Sequence, residues 1–178
     1  MFSQLGAAVI DADEATHAVY EPGTPGFEAI VREFGRRFVK DGAIDRASLG
    51  DLVFKDERAR ERLNAIVHPL VRQWMAERTA EAVEGGAEIV IHDVPLLFEN
   101  KLQAMYSATV LVYAQPATQV ARLTEQRGLT HKRANGMLAS QMRIDDKTKV
   151  ADFVIDNDGD LDATRRQVAQ VWTSVRAL

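Results

Sequence analysis

The sequence contains no cysteine, and this absence removes two classes of site. Without thiols the 178-residue chain can form neither a disulfide nor a thiolate metal centre. No uninterrupted apolar stretch approaches the ~18 residues that a membrane-spanning helix needs. The first residues show no basic region followed by an apolar run, so we expect no signal peptide, no membrane partner and a cytoplasmic location. Hydrophobic residues make up 46% and charged residues 27% of the chain, which is typical of a globular protein.

The net charge of −4 is unevenly distributed along the chain. The segment of residues 116–149 has seven Lys and Arg side chains against three acidic ones, which makes it +4 and the remainder −8. One interpretation is a solvated helical face. The other is a mobile basic element that closes over phosphates. Nucleic acid is a less favoured partner, because the segment contains no aromatic residue on which bases could stack.

Four short runs rich in valine and isoleucine predict β-strands. Each run is apolar throughout rather than alternating, as in strands covered on both faces of a parallel sheet. Helical patterns separate the runs, which favours βα units in one α/β domain over residues 1–178. Between the first two runs, about residues 14–84 predict a helical lobe. The four predicted strands are residues 7–11, 88–93, 108–114 and 152–156.

Capping residues predict where several helices begin. Asp45 and Asp56 each precede a helical pattern, over residues 46–54 and 57–67, and their carboxylates suit the N-cap position. Pro69 is expected in the first turn of a further helix, where its missing N–H is harmless. Other helices are predicted over residues 119–126, 132–142 and 160–177.

Acidic residues lie at the carboxyl ends of three of the predicted strands, as Asp11 and Asp13, as Asp93, and as Asp156 and Asp158. Ligands of open parallel sheets bind at the carboxyl ends of the strands. Carboxylates gathered there could hold a magnesium ion or accept a proton from a hydroxyl group. Alternatively, each aspartate simply caps the helix or turn that follows it.

Several short motifs resemble dephospho-coenzyme A kinases in both order and spacing. The resemblance covers nearly the whole chain, and an ordered series of motifs is far more specific than any single one. The matching segments are residues 5–13, 21–24, 34–35, 41–46, 63–71, 93–100, 141–142 and 151–157.

This resemblance implies the transfer of the γ-phosphate of ATP to the 3′-hydroxyl of dephospho-coenzyme A, with ATP and Mg²⁺ as cofactors. The implied fold is that of P-loop kinases, a parallel sheet flanked by helices, with a helical substrate-binding lobe and a lid over about residues 117–149. By position, Asp13 matches the carboxylate that accepts the hydroxyl proton and would also contact the metal. Arg122 matches the arginine that reaches the transferred phosphate. The implied acceptor-binding residues are His68, Asp93, Leu96 and Glu99, and the implied ATP-binding residues are Arg127, Lys147, Asn157 and Gly159.

One part of the family pattern does not occur among these residues. The family's first strand leads into a loop of the form G-x-x-x-x-G-K-[ST], whose backbone N–H groups and lysine hold the phosphates. No segment here has that form, so we expect the central strand and the loop to be absent and the chain alone to be inactive. Two alternatives are a non-catalytic binding module for coenzyme A or a nucleotide, and a nucleoside-phosphate kinase with a different acceptor.

Overall fold

The computed structural model describes residues 1–178, which divide into two compact units. One unit is residues 7–94, and the other combines residues 1–6 with residues 95–178. Each has its own pair of parallel strands and its own helices, so the prediction of an α/β fold with parallel strands is confirmed. The predictions of a single domain and of an absent central strand stay predictions. No helix is both long enough and apolar enough to cross a membrane.

The unit of residues 7–94 contains four helices and four strands. Its central feature is the parallel pairing of its first and last strands, in a register that sets Ala8 against Val90 and Asp11 against Asp93. In chain order its elements are β1 (Ala8–Asp11), α1 (Ala12–Val19), α2 (Pro25–Phe34), β2 (Val39–Lys40), β3 (Ala43–Ile44), α3 (Arg46–Lys55), α4 (Glu57–Glu84) and β4 (Val90–Asp93).

Local chemistry explains how α3 and α4 begin. Strands β2 and β3 form a hairpin whose two central residues, Asp41 and Gly42, have φ angles of 51° and 82°. This left-handed pair suits the twist of a two-residue hairpin. The Asp45 carboxylate then accepts a hydrogen bond from the Ser48 backbone N–H, and Asp56 caps α4 in the same way. Both predicted caps are confirmed.

The apolar core of this unit lies where α2, α3 and α4 meet. Ile30 and Leu49 are almost fully buried, and both pack in the same cluster as Leu63 and Val67 of α4. A smaller cluster joins Ile10 of β1 to Met75, which lies farther along α4. Helix α4 therefore holds both the other helices and the strand pair in place.

The prediction that Pro69 begins a new helix is wrong. Pro69 lies inside α4, which runs for 28 residues without a break. A proline there removes one intrahelical hydrogen bond and crowds the preceding turn. Tertiary packing outweighs this cost, because α4 buries Leu63 and Val67 before the proline and Met75 after it.

The second unit contains four helices and two strands. Strands β5 and β6 pair in parallel, with Val110 opposite Phe153 and Tyr113 opposite Asp156. Ile155 is buried against Val168 and Val171 of the last helix, and Phe2 packs beside this cluster. The elements are β5 (Val110–Tyr113), α5 (Pro116–Arg127), α6 (His131–Ala139), α7 (Ile144–Lys147), β6 (Phe153–Asp156) and α8 (Leu161–Val175).

Asp152 and Thr109 fasten the start of the β5–β6 pair. The Thr109 N–H and hydroxyl both donate to the Asp152 carboxylate, at 2.8 and 2.7 Å. These hydrogen bonds, the hydroxyl first, lower the pKa of Asp152. A carboxyl whose pKa is lowered by folding stabilises the fold above its unfolded pKa, and this stabilisation is lost as pH falls through the folded pKa.

We expect Asp152→Asn to lower the melting temperature at pH 7 by ~2–4 °C, the equivalent of ~1 kcal/mol. The difference from the wild type should shrink as pH falls below ~4, the ordinary aspartate range, and through the lowered pKa of the folded wild-type carboxyl. Thr109→Ser keeps both donors and loses only a methyl group, so its effect should not depend on pH. Melting curves between pH 2.5 and 7 measure both. A deficit in Asp152→Asn that is the same at every pH would contradict the prediction.

Candidate active site

The carboxyl ends of β1 and β4 bring three carboxylates close together. Asp11 and Asp93 are paired across the strands, and Asp13 follows in the first turn of α1. Burial raises the pKa of Asp93, and the negative charges of Asp11 and Asp13 raise it further. The site therefore favours a proton or a cation near Asp93.

Asp11 and Asp13 differ in the hydrogen bonding of their carboxylates. Asp11 caps α1, since its carboxylate accepts a hydrogen bond of 2.7 Å from the Asp13 N–H, so the capping interpretation holds for this residue. The Asp13 carboxylate is exposed and has no hydrogen-bond partner. The sequence predicts Asp13 at a strand tip, whereas it lies within the helix. The third acidic tip, Asp156 and Asp158, belongs to the other unit.

No group of three His, Cys, Asp or Glu side chains has the geometry of a metal site. A magnesium ion often takes only one or two protein carboxylates, together with waters and substrate phosphates. The exposed carboxylate of Asp13 fits that mode of binding, but it cannot hold a metal by itself.

The neighbouring part of β4 is fastened to α4. Thr79 and His92 share a hydrogen bond of 2.8 Å between the hydroxyl and Nε2, and burial lowers the pKa of His92. His68, by contrast, lies on the exposed side of α4. Asp93 and His68, both predicted to bind the phosphate acceptor, thus lie in different places within the same unit, one at the end of β4 and the other on the exposed side of α4.

A second set of predicted residues meets at the carboxyl ends of β5 and β6. The Arg122 guanidinium donates a 2.6 Å hydrogen bond to the backbone carbonyl of Asn157. The Asn157 N–H donates to the Tyr113 carbonyl at 2.8 Å, and the Gln115 N–H donates to both carboxylate oxygens of Asp158. The structure therefore brings Arg122 and Asn157 together, with Gly159 two residues beyond.

Lys147 and Glu99 form an ion pair inside the second unit. The two side chains are 7% and 18% exposed, and Lys147 Nζ lies 2.8 Å from Glu99 Oε1. The same oxygen accepts a hydrogen bond from the Met142 N–H at 2.9 Å, while the buried Oε2 has no partner. Burial alone would raise the pKa of Glu99, but the hydrogen bonds from Lys147, from the backbone of Glu99 itself and from Met142 outweigh it and lower the pKa.

The basic segment forms three helices, α5 to α7, of which the sequence predicted two. Arg143 and Lys149 pair with nearby aspartates at the surface, whereas Arg127, Lys132 and Arg133 form no ion pair. A cleft of about 580 Å³ opens between α5 and α6, with Val120, Thr124 and Asn135 in its wall. None of the predicted site residues lines it.

The sequence model of one protein family, "CoaE: Dephospho-CoA kinase", matches residues 1–163 of this chain. The chain belongs to the dephospho-CoA kinase family. The dephospho-CoA kinases of Listeria monocytogenes serotype 4b and Geobacillus kaustophilus are 43% and 42% identical to it, over 169 and 179 residues. Those alignments cover 94% and 100% of this chain, and 84% and 89% of the two relatives. A crystal structure from Thermus thermophilus is similar with a TM-score of 0.85 at 29% identity, covering 97% of this chain and 87% of that one.

The chain thus belongs to a family of transferases whose phosphate donor is ATP. The family membership predicted from the ordered motifs is confirmed. The roles assigned to individual residues stay predictions.

Sequence reasoning missed the residues that surround Arg46. The motif of residues 41–46 carries the family resemblance, yet it gave Arg46 no role. Arg46 begins α3 and contacts His17 and Tyr20 of α1 and the turn after it. Since His17 precedes Arg46 by 29 residues, no local pattern could have shown this contact.

Proposed function

We propose that the chain contributes the acceptor and lid parts of an enzyme that phosphorylates the 3′-hydroxyl of dephospho-coenzyme A, the last step of coenzyme A synthesis. The observation that carries this proposal is the exposed, unpartnered Asp13 beside Asp93 and Asp11, at the carboxyl ends of two parallel strands. A position at this end of the strands suits ligand binding. Membership of the dephospho-CoA kinase family supports the choice of acceptor.

Asp13 accepts the proton of the acceptor hydroxyl in this proposal. The hydroxyl oxygen attacks the γ-phosphorus of ATP, the bond from that phosphorus to the ADP oxygen breaks, and ADP leaves with the electron pair. Asp11 and Asp93 lie beside Asp13 at the ends of the paired strands, so the acceptor hydroxyl meets a cluster of carboxylates. In the same proposal, Asp93 accepts a hydrogen bond from the ribose.

A Mg²⁺ ion would be held by Asp13 together with the phosphates, and it would neutralise part of their charge. This assignment rests on the oxygen chemistry and exposure of Asp13.

Arg122 binds the transferred phosphate in this proposal. Its guanidinium can donate two parallel hydrogen bonds and is always charged. At rest it donates to the carbonyl of Asn157, a neutral acceptor, so exchanging that carbonyl for a phosphate oxygen gains charge attraction. Asn157 and Gly159 lie beside the adenine of ATP, and the exposed Arg127 at the end of α5 contributes positive charge.

The other residues implied by the family pattern keep more modest roles. His68 and Leu96 are exposed and available to the acceptor. Glu99 and Lys147 already neutralise each other, so we assign them to positioning the segment around Met142 rather than to direct contact with substrates.

None of the 178 residues forms a G-x-x-x-x-G-K-[ST] loop. Removing even one preorganised donor to a transition state costs ~10²–10³-fold in rate. We therefore expect these residues alone, given ATP, Mg²⁺ and dephospho-coenzyme A, to form ADP no faster than a control without protein. Fusing the strand, loop and helix of a family member ahead of Met1 should give a product with a 3′-phosphate, identified by mass and by phosphorus NMR. We call this fusion the fused enzyme.

Three outcomes would change the proposal. Turnover by the 178-residue chain within ~10-fold of a family member would refute the need for an added loop. Phosphorylation of a nucleoside monophosphate by the fused enzyme would refute the acceptor. A folded fusion that binds dephospho-coenzyme A and forms no product would instead indicate a binding module.

A further inference from the structure

Arg46 is held in place by two rings rather than by an acidic partner. Its Nη1 lies 2.7 Å from the imidazole nitrogens of His17, and its Cζ lies 5.3 Å from the centre of the Tyr20 ring. It forms no ion pair, unlike Arg60, Arg62 and Arg78 in the same unit. Its side chain is exposed, so a full positive charge faces solvent in a fixed position.

The adjacent carboxylate does not neutralise this charge. Asp45 precedes Arg46 in the chain, but its Oδ1 accepts from the Ser48 N–H at 3.1 Å and its Oδ2 from the Ser48 hydroxyl at 2.7 Å. These bonds commit Asp45 to capping α3. The contact with His17 does not neutralise the charge either, because a histidine side chain carries no negative charge.

Helix α1 places this guanidinium on the same side of the helix as Asp13. His17 follows Asp13 by four residues, so the two side chains lie on the same side of α1, one turn apart. Arg46 contacts the imidazole, so its guanidinium lies on the side of α1 that carries Asp13, beside the next helical turn.

The acceptor carries an anion at a matching distance from its reactive hydroxyl. In dephospho-coenzyme A the diphosphate begins a few bonds from the 3′-hydroxyl oxygen, on the same ribose. With that hydroxyl at Asp13, the diphosphate can reach a group one helical turn away. A guanidinium suits it, because two parallel N–H groups match two phosphate oxygens.

We propose that Arg46, oriented by His17 and Tyr20, binds the diphosphate of dephospho-coenzyme A while the 3′-hydroxyl lies at Asp13. This inference rests on the proposed acceptor. Tyr20 holds the plane of the guanidinium and His17 limits its rotation, so little side-chain freedom is lost when the anion binds.

Calorimetry on the 178-residue protein tests the inference, with dephospho-coenzyme A and adenosine as ligands. Loss of hydrogen bonds to a charged group is expected to make Arg46→Gln bind dephospho-coenzyme A ~10- to 100-fold more weakly than the wild type. Arg46→Lys keeps the positive charge but loses the two parallel N–H groups. Its affinity for dephospho-coenzyme A should therefore lie between those of the wild type and Arg46→Gln. Adenosine, which has no phosphate, should bind all three proteins equally. Arg60→Gln, which removes an exposed arginine of α4, is the matched control and should bind both ligands as the wild type does.

The outcomes separate this inference from the acceptor proposal. If the wild type does not bind dephospho-coenzyme A, the proposed acceptor is wrong and the inference is overturned with it. If the wild type binds and Arg46→Gln binds equally well, only the inference is overturned. Equal losses for adenosine and dephospho-coenzyme A would also overturn it, because they would indicate a general disturbance. Melting curves show whether each variant is folded. If Arg46→Gln is unfolded, the binding comparison is made between Arg46→Lys and the wild type.

Discussion

Asp13→Asn is expected to lower the kcat of the fused enzyme by ~10²-fold or more, with little change in the dissociation constant of dephospho-coenzyme A. Asparagine keeps the size and polarity of the side chain and cannot accept the hydroxyl proton. The loss should therefore appear in the chemical step, which single-turnover measurements isolate. Dissociation constants come from calorimetry on the same samples.

Asp11→Asn provides a matched control within the same cluster. Asparagine is as good an N-cap as aspartate, so this variant removes one nearby carboxylate and preserves the start of α1. We expect it to lower kcat much less than Asp13→Asn does, because the Asp11 carboxylate is already occupied by the Asp13 N–H.

If Asp13 had a purely structural role, we would expect its substitution to change stability rather than kcat. An exposed acid in the first turn of a helix stabilises it by ~0.3–1 kcal/mol through the helix dipole. On that view Asp13→Asn would lower the melting temperature slightly and leave the kcat of the folded protein near wild type. Such a result, or equal effects of the two substitutions on kcat, would remove Asp13 from the chemistry.

The features that the sequence predicted depend on neighbours along the chain. Asp45 and Asp56 bond to N–H groups three residues ahead, so their capping is visible in a short window. The valine and isoleucine runs around Ile10 and Ile155 predict strands for the same reason. The prediction that both faces of these strands are covered is wrong, because Val9 and Val154 are 48% and 41% exposed. Asp11 and Asp93 could be expected close together, because parallel strands align their carboxyl ends.

The features that the sequence did not predict depend on partners distant in the chain. Pro69 has a local preference for the start of a helix, and only the packing of α4 against other elements overrides it. In the sequence, Lys147 is one of seven basic residues in the segment of residues 116–149. Nothing near it in the sequence indicates that Glu99, which lies before β5, would bury its charge.

Lys147→Met is expected to lower the free energy of unfolding by ~3 kcal/mol, because it leaves the partly buried Glu99 carboxylate without its counter-charge. Glu99 already has one buried oxygen without a hydrogen-bond partner, so the remaining charge would be poorly compensated. Urea unfolding at pH 7, followed by fluorescence, measures the change. Lys149→Met is the matched control, since Lys149 pairs with Asp146 at the surface and is 71% exposed. Its effect should stay within ~0.5 kcal/mol.

The double variant Glu99→Met with Lys147→Met separates the pair from its surroundings. Replacing both charges with apolar side chains of similar size removes the unpaired oxygen and the cost of burying two ions, so its stability should return close to wild type. Some loss will remain, because the Met142 N–H loses its acceptor. That amide should exchange with solvent faster in the double variant than in the wild type. A double variant as unstable as Lys147→Met would show that the pair contributes more than mutual neutralisation, while a stable Lys147→Met would show that the pair is not buried in solution.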